Sequence, residues 1–185
     1  MAVTKTELRK SILEQRKALK NDERENFSKA VFDKIVQLPD FEGWKTMFIY
    51  VAYNFEVETK LLIKYALAIG KNVCVPCVKD DGIMNAVEIR SWDNLKKNKF
   101  GILEPIDETN EISKVAIDVA IVPGSVFDKK RNRIGYGKGY YDNFLKNTKM
   151  KKIGLAFDLQ IVDQVPVISK DIPMDMVITP TATIE

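Results

Sequence analysis

The chain has 185 residues, of which 45% are hydrophobic and 30% charged, a composition typical of a single domain spanning residues 1–185. Lys and Arg number 29 against 26 Asp and Glu, so the net charge of +3 is well below that of a protein that coats nucleic acid. Histidine is absent, which excludes a Ser-His-Asp triad, a Cys-His dyad and every His-ligated metal site.

The N-terminal segment, residues 4–38, predicts two helices. Thr4 and Glu7 have the spacing of a capping box, and Asp22 with Glu25 offers a start for the second helix. Apolar residues recur at helical spacing in the first helix, which predicts one buried face.

A cationic face runs along the first predicted helix. Lys5, Arg9 and Arg16 are separated by about one or two helical turns, so they project from roughly the same side. Such a stripe is usually solvated, and the spacing alone favours that interpretation.

The rest of the chain alternates apolar runs with a helical pattern. "KTMFIYVAY" (45–53), "KNVCVPCV" (71–78) and "KVAIDVAIVPG" (114–124) predict buried strands, and "TKLLIKYALAIG" (59–70) predicts a helix that ends at a glycine. "MNAVEIR", "KIGLAF" and "DMVITP" add short strands, whereas residues 91–111 predict a long surface connection and residues 179–185 a polar tail or a poorly tied strand end. We therefore predict an α/β fold: one three-layer domain with a mostly parallel sheet of about five or six strands flanked by helices.

The two cysteines, Cys74 and Cys77, have the spacing of a thioredoxin-type redox pair. That motif opens a helix, however, and these two lie within a predicted strand. The position favours reduced, structural cysteines, and a structural zinc site is not expected without histidine.

A glycine-rich segment, "RNRIGYGKGYYDNFL" (131–145), follows the strand "VAIVPG". Its alternating glycines are Gly135, Gly137 and Gly139. They permit positive φ or the close approach of a ligand to backbone amides, and a helix predicted to begin near Gly139 or Tyr140 adds partial positive charge. Three cations supply full charges: Arg131, Arg133 and Lys138. Together these features predict a polyphosphate site at the carboxyl edge of the sheet.

Asp142 and the tyrosines of this segment allow two interpretations each. Asp142 either interacts favourably with the dipole of the helix in whose first turn it lies or ligates Mg²⁺ beside phosphate oxygens. Tyr136, Tyr140 and Tyr141 either stack on a heteroaromatic ring or pack in the core. The spacing is neither a Walker A motif nor a Rossmann fingerprint, so the pattern alone indicates a phosphate-binding α/β protein and leaves a plain strand-to-helix turn open.

The same segment, with "VPGSVFD" (122–128) before it, resembles the signature of the 5-formyltetrahydrofolate cyclo-ligases, also called 5,10-methenyltetrahydrofolate synthetases. The resemblance covers almost the whole chain, including "KTELR" (5–9), "EVET" (56–59) and "IGLAFDLQIVDQVPVISKDIPMD" (153–175). It implies a fold similar to the sugar-phosphate isomerase and CoA-transferase group. It also implies an enzyme that uses ATP and Mg²⁺ to cyclise 5-formyltetrahydrofolate to 5,10-methenyltetrahydrofolate, with release of ADP and phosphate, by phosphorylating the formyl oxygen so that N10 can attack.

The resemblance further implies roles for residues at matching positions. The ATP contacts would be Lys5, Thr6, Glu7, Leu8, Arg9, Arg133, Ile134, Gly135, Tyr136, Gly137, Lys138, Gly139, Tyr140 and Tyr141. The folate contacts would be Val51, Glu56, Tyr136, Gly137, Lys138, Gly139 and Tyr140. Arg133 and Lys138 would be catalytic by stabilising charge on the transferred phosphoryl group, and Asp142 and Asp171 would ligate Mg²⁺. Many relatives carry a histidine just before the second aspartate, where this chain has Lys170.

The expected partner is a small-molecule folate, and neither nucleic acid nor a membrane is expected. No apolar run approaches the roughly 20 residues that span a bilayer. We expect a cytoplasmic monomer. Two alternatives stay open: a phosphosugar isomerase or CoA transferase, which would act without ATP, and a nucleic-acid-binding module, whose affinity would fall steeply with salt.

Overall fold

The computed structural model describes residues 3–79, 81–99 and 101–185. Its helices are α1 (Lys5–Ala18), α2 (Asn21–Val36), α3 (Lys60–Ala68) and α4 (Tyr140–Leu145). Its strands are β1 (Thr46–Ile49), β2 (Asn72–Val78), β3 (Met84–Ile89), β4 (Leu95–Lys97), β5 (Leu103–Pro105), β6 (Val119–Pro123), β7 (Val126–Asp128), β8 (Arg133–Ile134), β9 (Lys151–Leu155), β10 (Ile161–Val162), β11 (Met176–Ile178) and β12 (Thr183–Ile184).

The central sheet of the described chain has seven strands in the order β12-β11-β9-β6-β1-β2-β3. The five inner strands are parallel, and β12 and β3 pair antiparallel at the two edges. The predicted α/β class and mostly parallel sheet are therefore confirmed. The predicted number of strands was too low: the described residues also contain β12 in this sheet and five strands outside it, β4, β5, β7, β8 and β10. Each of these is only two or three residues long and carries no readable alternation.

Helices cover both faces of this sheet, as the three-layer prediction required. On one face α2 and α3 bury Val31, Ile35 and Ile63 against the parallel strands. On the other face α4 places Phe144 on Phe48 of β1, with ring centroids 4.4 Å apart. Strands apolar on both faces explain why β1 and β6 are wholly buried.

A smaller sheet, β10-β7-β8, lies beside the main one and forms a separate core with α1. Ile12 of α1 packs there with Val126, Ile134 and Val165. The apolar face of the first helix is thus buried as predicted, and it fixes α1 beside the strands that lead into the glycine-rich segment.

Three local predictions need correction. The second helix does not start with Asp22 and Glu25; α2 begins at Asn21, and the Glu23 carboxylate accepts the Lys20 N–H at 3.0 Å. The predicted connection 91–111 contains an antiparallel hairpin of β4 and β5. Its strands are short and are separated by turn residues, so the sequence shows no strand pattern there; Phe100 lies outside the described residues. The third is the solvated cationic face predicted for α1, whose cations contact other segments of the chain.

Cys74 and Cys77 lie on β2 as buried free thiols, which confirms the structural interpretation. Burial raises the pKa of Cys74 to about 12 and that of Cys77 to about 11, so neither is a thiolate near neutral pH. In the part of the chain that the structure describes, no helix is long and apolar enough to cross a bilayer.

The order of the strands creates a crevice between β1 and β6. These two strands are neighbours, but the chain leaves β1 through α3 toward β2 on one side and leaves β6 toward β9 on the other. Ligands in open α/β sheets bind where the connections diverge in this way, outside the carboxyl ends of the strands. The loop after β1 and the glycine-rich segment after β6 both start at this crevice.

Candidate active site

The glycine-rich segment combines two uses of glycine. Gly137 (φ 94°) and Gly139 (φ 70°) adopt left-handed conformations, and Gly139 immediately precedes α4, which begins at Tyr140 as predicted. At Gly135 the reason is space: an added Cβ would lie 2.6 Å from Nη1 of Arg133. The segment is therefore a turn shaped around a guanidinium.

Asp128 holds the base of this segment, a role that sequence reasoning missed. Its carboxylate is fully buried at the end of β7 and accepts the N–H groups of Lys130 and Asn132, each at 2.9 Å. It also accepts the Asn132 side-chain amide at 2.9 Å and the Val165 N–H at 3.0 Å. An aspartate that opens a polar turn was the available signal, since Asp favours the first position of tight turns.

Arg133 lies beneath the glycines with only 4% of its surface exposed. Its Nη2 lies 3.1 Å from Oδ2 of Asp142, its Nη1 donates to the Pro123 carbonyl at 3.3 Å, and its guanidinium stands 5.6 Å from the centre of the Tyr141 ring. Arg133 is therefore fixed by its neighbours, while its buried Nε–H has no partner among the described residues.

The two aspartates predicted to bind metal lie on adjoining segments. Oδ1 of Asp142 accepts the N–H of Ile172 at 3.1 Å, which brings it next to Asp171. Asp171 forms an ion pair with Lys5 and accepts the Ile168 N–H at 2.8 Å. In the described ranges no three His, Cys, Asp or Glu side chains gather into a metal cluster. A pair of carboxylates still fits Mg²⁺, which takes one or two carboxylates together with phosphate oxygens.

The cationic face of α1 is not solvated, which corrects the interpretation that spacing alone favoured. Lys5 reaches Asp171, Arg9 Nε donates to the Gly135 carbonyl at 2.9 Å, and Arg16 is only 2% exposed. The physical reason is that remote segments pack along this face: the glycine-rich segment presents the Gly135 carbonyl, and the carbonyls of Gly124 and Asn54 reach Arg16. Helical spacing carries no information about such a neighbour.

The remaining residues of "KTELR" have local roles. Glu7 completes the predicted capping box by accepting the Thr4 N–H at 2.8 Å. Leu8 packs against the core between α1 and the small sheet, and Thr6 is exposed. Of the charged residues in this motif, Arg9 contacts the glycine-rich segment, and Lys5 pairs with Asp171 beside it.

Glu56 lies in the loop after β1 and meets the glycine-rich segment through Tyr136. The Tyr136 hydroxyl donates to Oε1 of Glu56, and the Tyr53 N–H donates to Oε2 at 2.8 Å. Burial raises the pKa of the Glu56 carboxyl, and these two hydrogen bonds partly offset the effect. The residues before it, Asn54 and Phe55, both have left-handed backbones (φ 46° and 63°), so the loop bends sharply to present this carboxylate.

The other predicted contacts divide between core and surface. Val51 is buried in the core at the end of β1, and Tyr141 packs edge-on against Phe48 at 6.3 Å. Tyr140 is partly buried against the same face of the sheet. Lys138 is exposed and has no hydrogen bond or ion pair with the described residues. Tyr136 and Lys138 are therefore the side chains of this segment most open to a ligand.

Comparison with known proteins decides the family. The model of the 5-formyltetrahydrofolate cyclo-ligase family matches residues 1–180. The chain belongs to that family. It is 31% identical to a probable 5-formyltetrahydrofolate cyclo-ligase of Caenorhabditis elegans over 97% of this chain and 94% of the relative. It is 28% identical to the 5-formyltetrahydrofolate cyclo-ligase of Escherichia coli over 92% of this chain and 97% of the relative.

The fold agrees with this family. The structure is similar to that of the 5,10-methenyltetrahydrofolate synthetase of Aquifex aeolicus, with a TM-score of 0.87 and 32% identity over 97% of this chain and 91% of that one. The family that the sequence resembled is thus confirmed, and with it a ligase family of folate metabolism. The likeness to sugar-phosphate isomerases and the ligand contacts of individual residues stay predictions.

Proposed function

We propose that this member of the family cyclises 5-formyltetrahydrofolate to 5,10-methenyltetrahydrofolate, with ATP hydrolysed to ADP and phosphate. Beside the family membership, one contact carries the proposal. The Tyr136 hydroxyl donates to Glu56, although 80 positions separate the two residues. The segment expected to hold ATP therefore adjoins the carboxylate expected to hold the folate, as transfer between the two ligands requires.

The charges around the glycine-rich segment support the nucleotide half of the proposal. Lys5, Arg9, Arg133 and Lys138 converge on this segment, and the carboxylates that balance them are Asp142 and Asp171. Exposed Lys138 and the left-handed turn at Gly137 leave a cation and backbone amides for phosphate oxygens. These cations, two from α1 and two from the segment itself, suit a triphosphate better than a neutral sugar.

Glu56 supports the folate half. A partly buried carboxylate accepts hydrogen bonds well from the amino and ring N–H groups of a pterin, because the local dielectric is low. Its two present donors, Tyr136 and the Tyr53 N–H, hold it in one orientation. In the proposed complex the pterin joins or replaces the phenol as a donor.

The chemistry follows from the leaving group. The formyl oxygen is an amide oxygen and cannot depart as oxide, so it takes the γ-phosphoryl group of ATP. N10 of the same folate then attacks the formyl carbon and gives up its proton to the phosphate or to water, and the C–O bond breaks as phosphate leaves. The protein needs no nucleophile of its own: it aligns N10, and Arg133 and Lys138 stabilise the charge on the transferred group. A chain without histidine can perform this reaction.

Asp142 and Asp171 would hold Mg²⁺, which neutralises phosphate charge when bound. Both carboxylates retain lone pairs beyond their present partners, so they fit the ion. Asp142 also has a second task, since it is the counter-ion of buried Arg133. ATP, Mg²⁺, a monomeric state and a cytoplasmic location remain predictions.

Purified protein mixed with 5-formyltetrahydrofolate, Mg²⁺ and ATP tests the proposal through the near-ultraviolet absorbance of the cyclised product. The absorbance should rise with ATP and stay flat without ATP or with excess EDTA. No ATP-dependent rise would end the proposal. Steep, salt-sensitive binding of oligonucleotides without turnover would favour the nucleic-acid-binding alternative instead.

A further inference from the structure

Arg16 is the most unexpected side chain of the site. It lies two turns from Arg9 on α1, is 2% exposed, and is among the largest fully buried side chains of the described chain. Its Nη1 donates to the Gly124 carbonyl at 3.4 Å, and its Nη2 donates both to the Asn54 carbonyl and to the Tyr136 hydroxyl, each at 3.0 Å. Its three partners come from three different segments.

A buried guanidinium of this kind is costly. Within the described residues no carboxylate lies within ion-pair distance of Arg16, and its Nε has no hydrogen-bond partner. Burying a charge without a counter-ion is strongly unfavourable unless other contacts offset the lost hydration, and an apolar residue of similar volume would be more stable there. Groups held at such a cost are found preferentially at functional sites.

The place of Arg16 in the sheet indicates which function it serves. Gly124 follows β6 and Asn54 follows β1, so the guanidinium spans the crevice where the connections of these neighbouring strands diverge. The Gly124 carbonyl also accepts the Gln160 side-chain amide at 2.8 Å, which fixes that wall of the crevice. Arg16 thus ties the loop of Glu56 to the strand that leads into the glycine-rich segment.

The hydrogen bond to Tyr136 has a direction. The phenol oxygen accepts from Arg16, so its own proton is free to donate to Oε1 of Glu56. Without Arg16 the hydroxyl could rotate and the carboxylate would lose an aligned donor. A lysine could keep the charge, but its single nitrogen could not serve the carbonyls and the phenol in the fixed fork of a guanidinium.

We propose that Arg16 is a positioning residue of the folate site: acting through the Tyr136 hydroxyl, it sets the orientation of Glu56 for the folate ring. This inference rests on the proposed function, because it assigns the folate to Glu56. Arg16 does not touch the ligand, and its effect should appear in folate binding rather than in ATP binding.

Ionisable groups from several elements face Glu56, and the charges of these groups also influence how it titrates. They are Arg16 on α1, Tyr50 after β1, Glu58 in its own loop, and Tyr136 and Tyr141 in the glycine-rich segment. Arg16 is the only cation among these, and its charge favours ionised Glu56. Removing this charge should therefore move the acidic limb of kcat/KM for folate to higher pH.

The test compares Arg16→Gln, Arg16→Lys, Tyr136→Phe and the double variant Arg16→Gln/Tyr136→Phe with the wild type. Exposed Lys17→Gln, on the same helix, is the matched control for loss of one positive charge. We expect Arg16→Gln and Tyr136→Phe each to raise KM for 5-formyltetrahydrofolate about tenfold, with KM for ATP within about twofold of wild type. The double variant should be no worse than the poorer single variant, because both break one relay. Arg16→Lys should raise KM for folate but keep the wild-type acidic limb.

Other outcomes overturn the inference. A lower Tm with unchanged KM for folate and an unchanged pH profile would make Arg16 merely structural. Additive effects would show that Arg16 does not act through Tyr136. If Arg16→Gln does not fold, exposed Tyr136→Phe decides, since a normal KM for folate in that variant removes the relay. If the wild type and Lys17→Gln cyclise the folate and the Arg16 substitutions do not change KM for folate, the relay alone is refuted. An inactive wild type would refute the proposed function and the inference with it.

Discussion

Asp142→Asn probes the centre of the site because it changes one charge and almost no volume. In the wild type, Nη2 of Arg133 lies 3.1 Å from Oδ2 of Asp142, and the two side chains are 3% and 22% exposed. The variant leaves the guanidinium buried without its counter-ion. The Asn carbonyl can still accept the Ile172 N–H, and Nη1 of Arg133 keeps the Pro123 carbonyl, so the fold should survive.

The expected loss of stability follows from this geometry. At 3.1 Å and an effective dielectric constant of about 20, the ion pair amounts to about 5 kcal/mol. Partial exposure of Asp142 and the contacts that remain reduce this value, and we expect a loss of about 2 to 3 kcal/mol in the free energy of unfolding. For a chain of this size the melting temperature should fall by roughly 4 to 12 °C. Turnover should fall more than this loss of folded protein explains, because a proposed Mg²⁺ ligand is also gone.

Asp40→Asn is the matched control, since Asp40 pairs with Lys151 at 2.7 Å on the surface with 59% of its side chain exposed. An exposed pair contributes at most about 1 kcal/mol, so this variant should melt within a few degrees of wild type and keep full activity. Calorimetry and an Mg²⁺ titration of turnover give both results. Equal melting temperatures for the two variants would refute the buried-pair argument, and a normal Mg²⁺ dependence would remove Asp142 from the metal site.

Three further substitutions test other parts of the molecule. Lys138→Ala should raise KM for ATP about tenfold in steady-state kinetics and leave Tm almost unchanged, because the exposed amine has no protein partner to lose among the described residues. Glu56→Gln should raise Tm near pH 7.5 and weaken folate binding. Burial raises the pKa of Glu56, so holding the carboxylate ionised in the folded protein lowers its stability; this loss appears as pH rises through the folded pKa, and the two proteins should melt alike near pH 3, below both pKa values. Lys71→Met should lower Tm and leave both KM values unchanged, at a cost of about 1 to 2 kcal/mol, because the ammonium donates to three backbone carbonyls of residues 41–44.

Each of these has an opposing result. A change in Tm alone for Lys138→Ala, when exposed Lys149→Ala changes nothing, would make the segment a structural turn. Glu56→Gln that melts lower than wild type at neutral pH would show that the ionised carboxylate stabilises the fold. An unaltered Tm in Lys71→Met would mean that its carbonyl contacts contribute nothing net.

Local patterns predicted the elements whose causes are local. The parallel strands were readable because they are apolar on both faces, and α4 was readable because Gly139 must take a left-handed conformation just before it. The capping box of Thr4 and Glu7 likewise depends only on residues within one turn. Residues 179–185 were predicted as either a polar tail or a strand end, and this choice stayed open because the pairing of β12 with β11, and not its two residues, makes it a strand.

The candidate site was predictable where a motif carries it and unpredictable where distant segments meet. The glycine-rich segment marked Arg133 and Asp142, whose ion pair spans nine positions. Nothing in the spacing of α1 distinguishes Arg16 from a solvated arginine, because its burial depends on carbonyls 38 and 108 positions away. The contact of Tyr136 with Glu56 was likewise invisible without the fold, although the family resemblance named both residues.

The phenol between Arg16 and Glu56 has a physical consequence of its own. A direct ion pair would satisfy the carboxylate and leave a ligand to compete with a full charge at close range. A neutral hydroxyl in between orients the same carboxylate with a single hydrogen bond, which a pterin N–H can replace at a much smaller cost. The guanidinium meanwhile stays fixed by the Gly124 and Asn54 carbonyls, so the site keeps its positive support after the exchange. If the folate binds as proposed, the intervening tyrosine therefore allows Glu56 to bind an N–H-rich ring while exposed Lys138 stays available for phosphate.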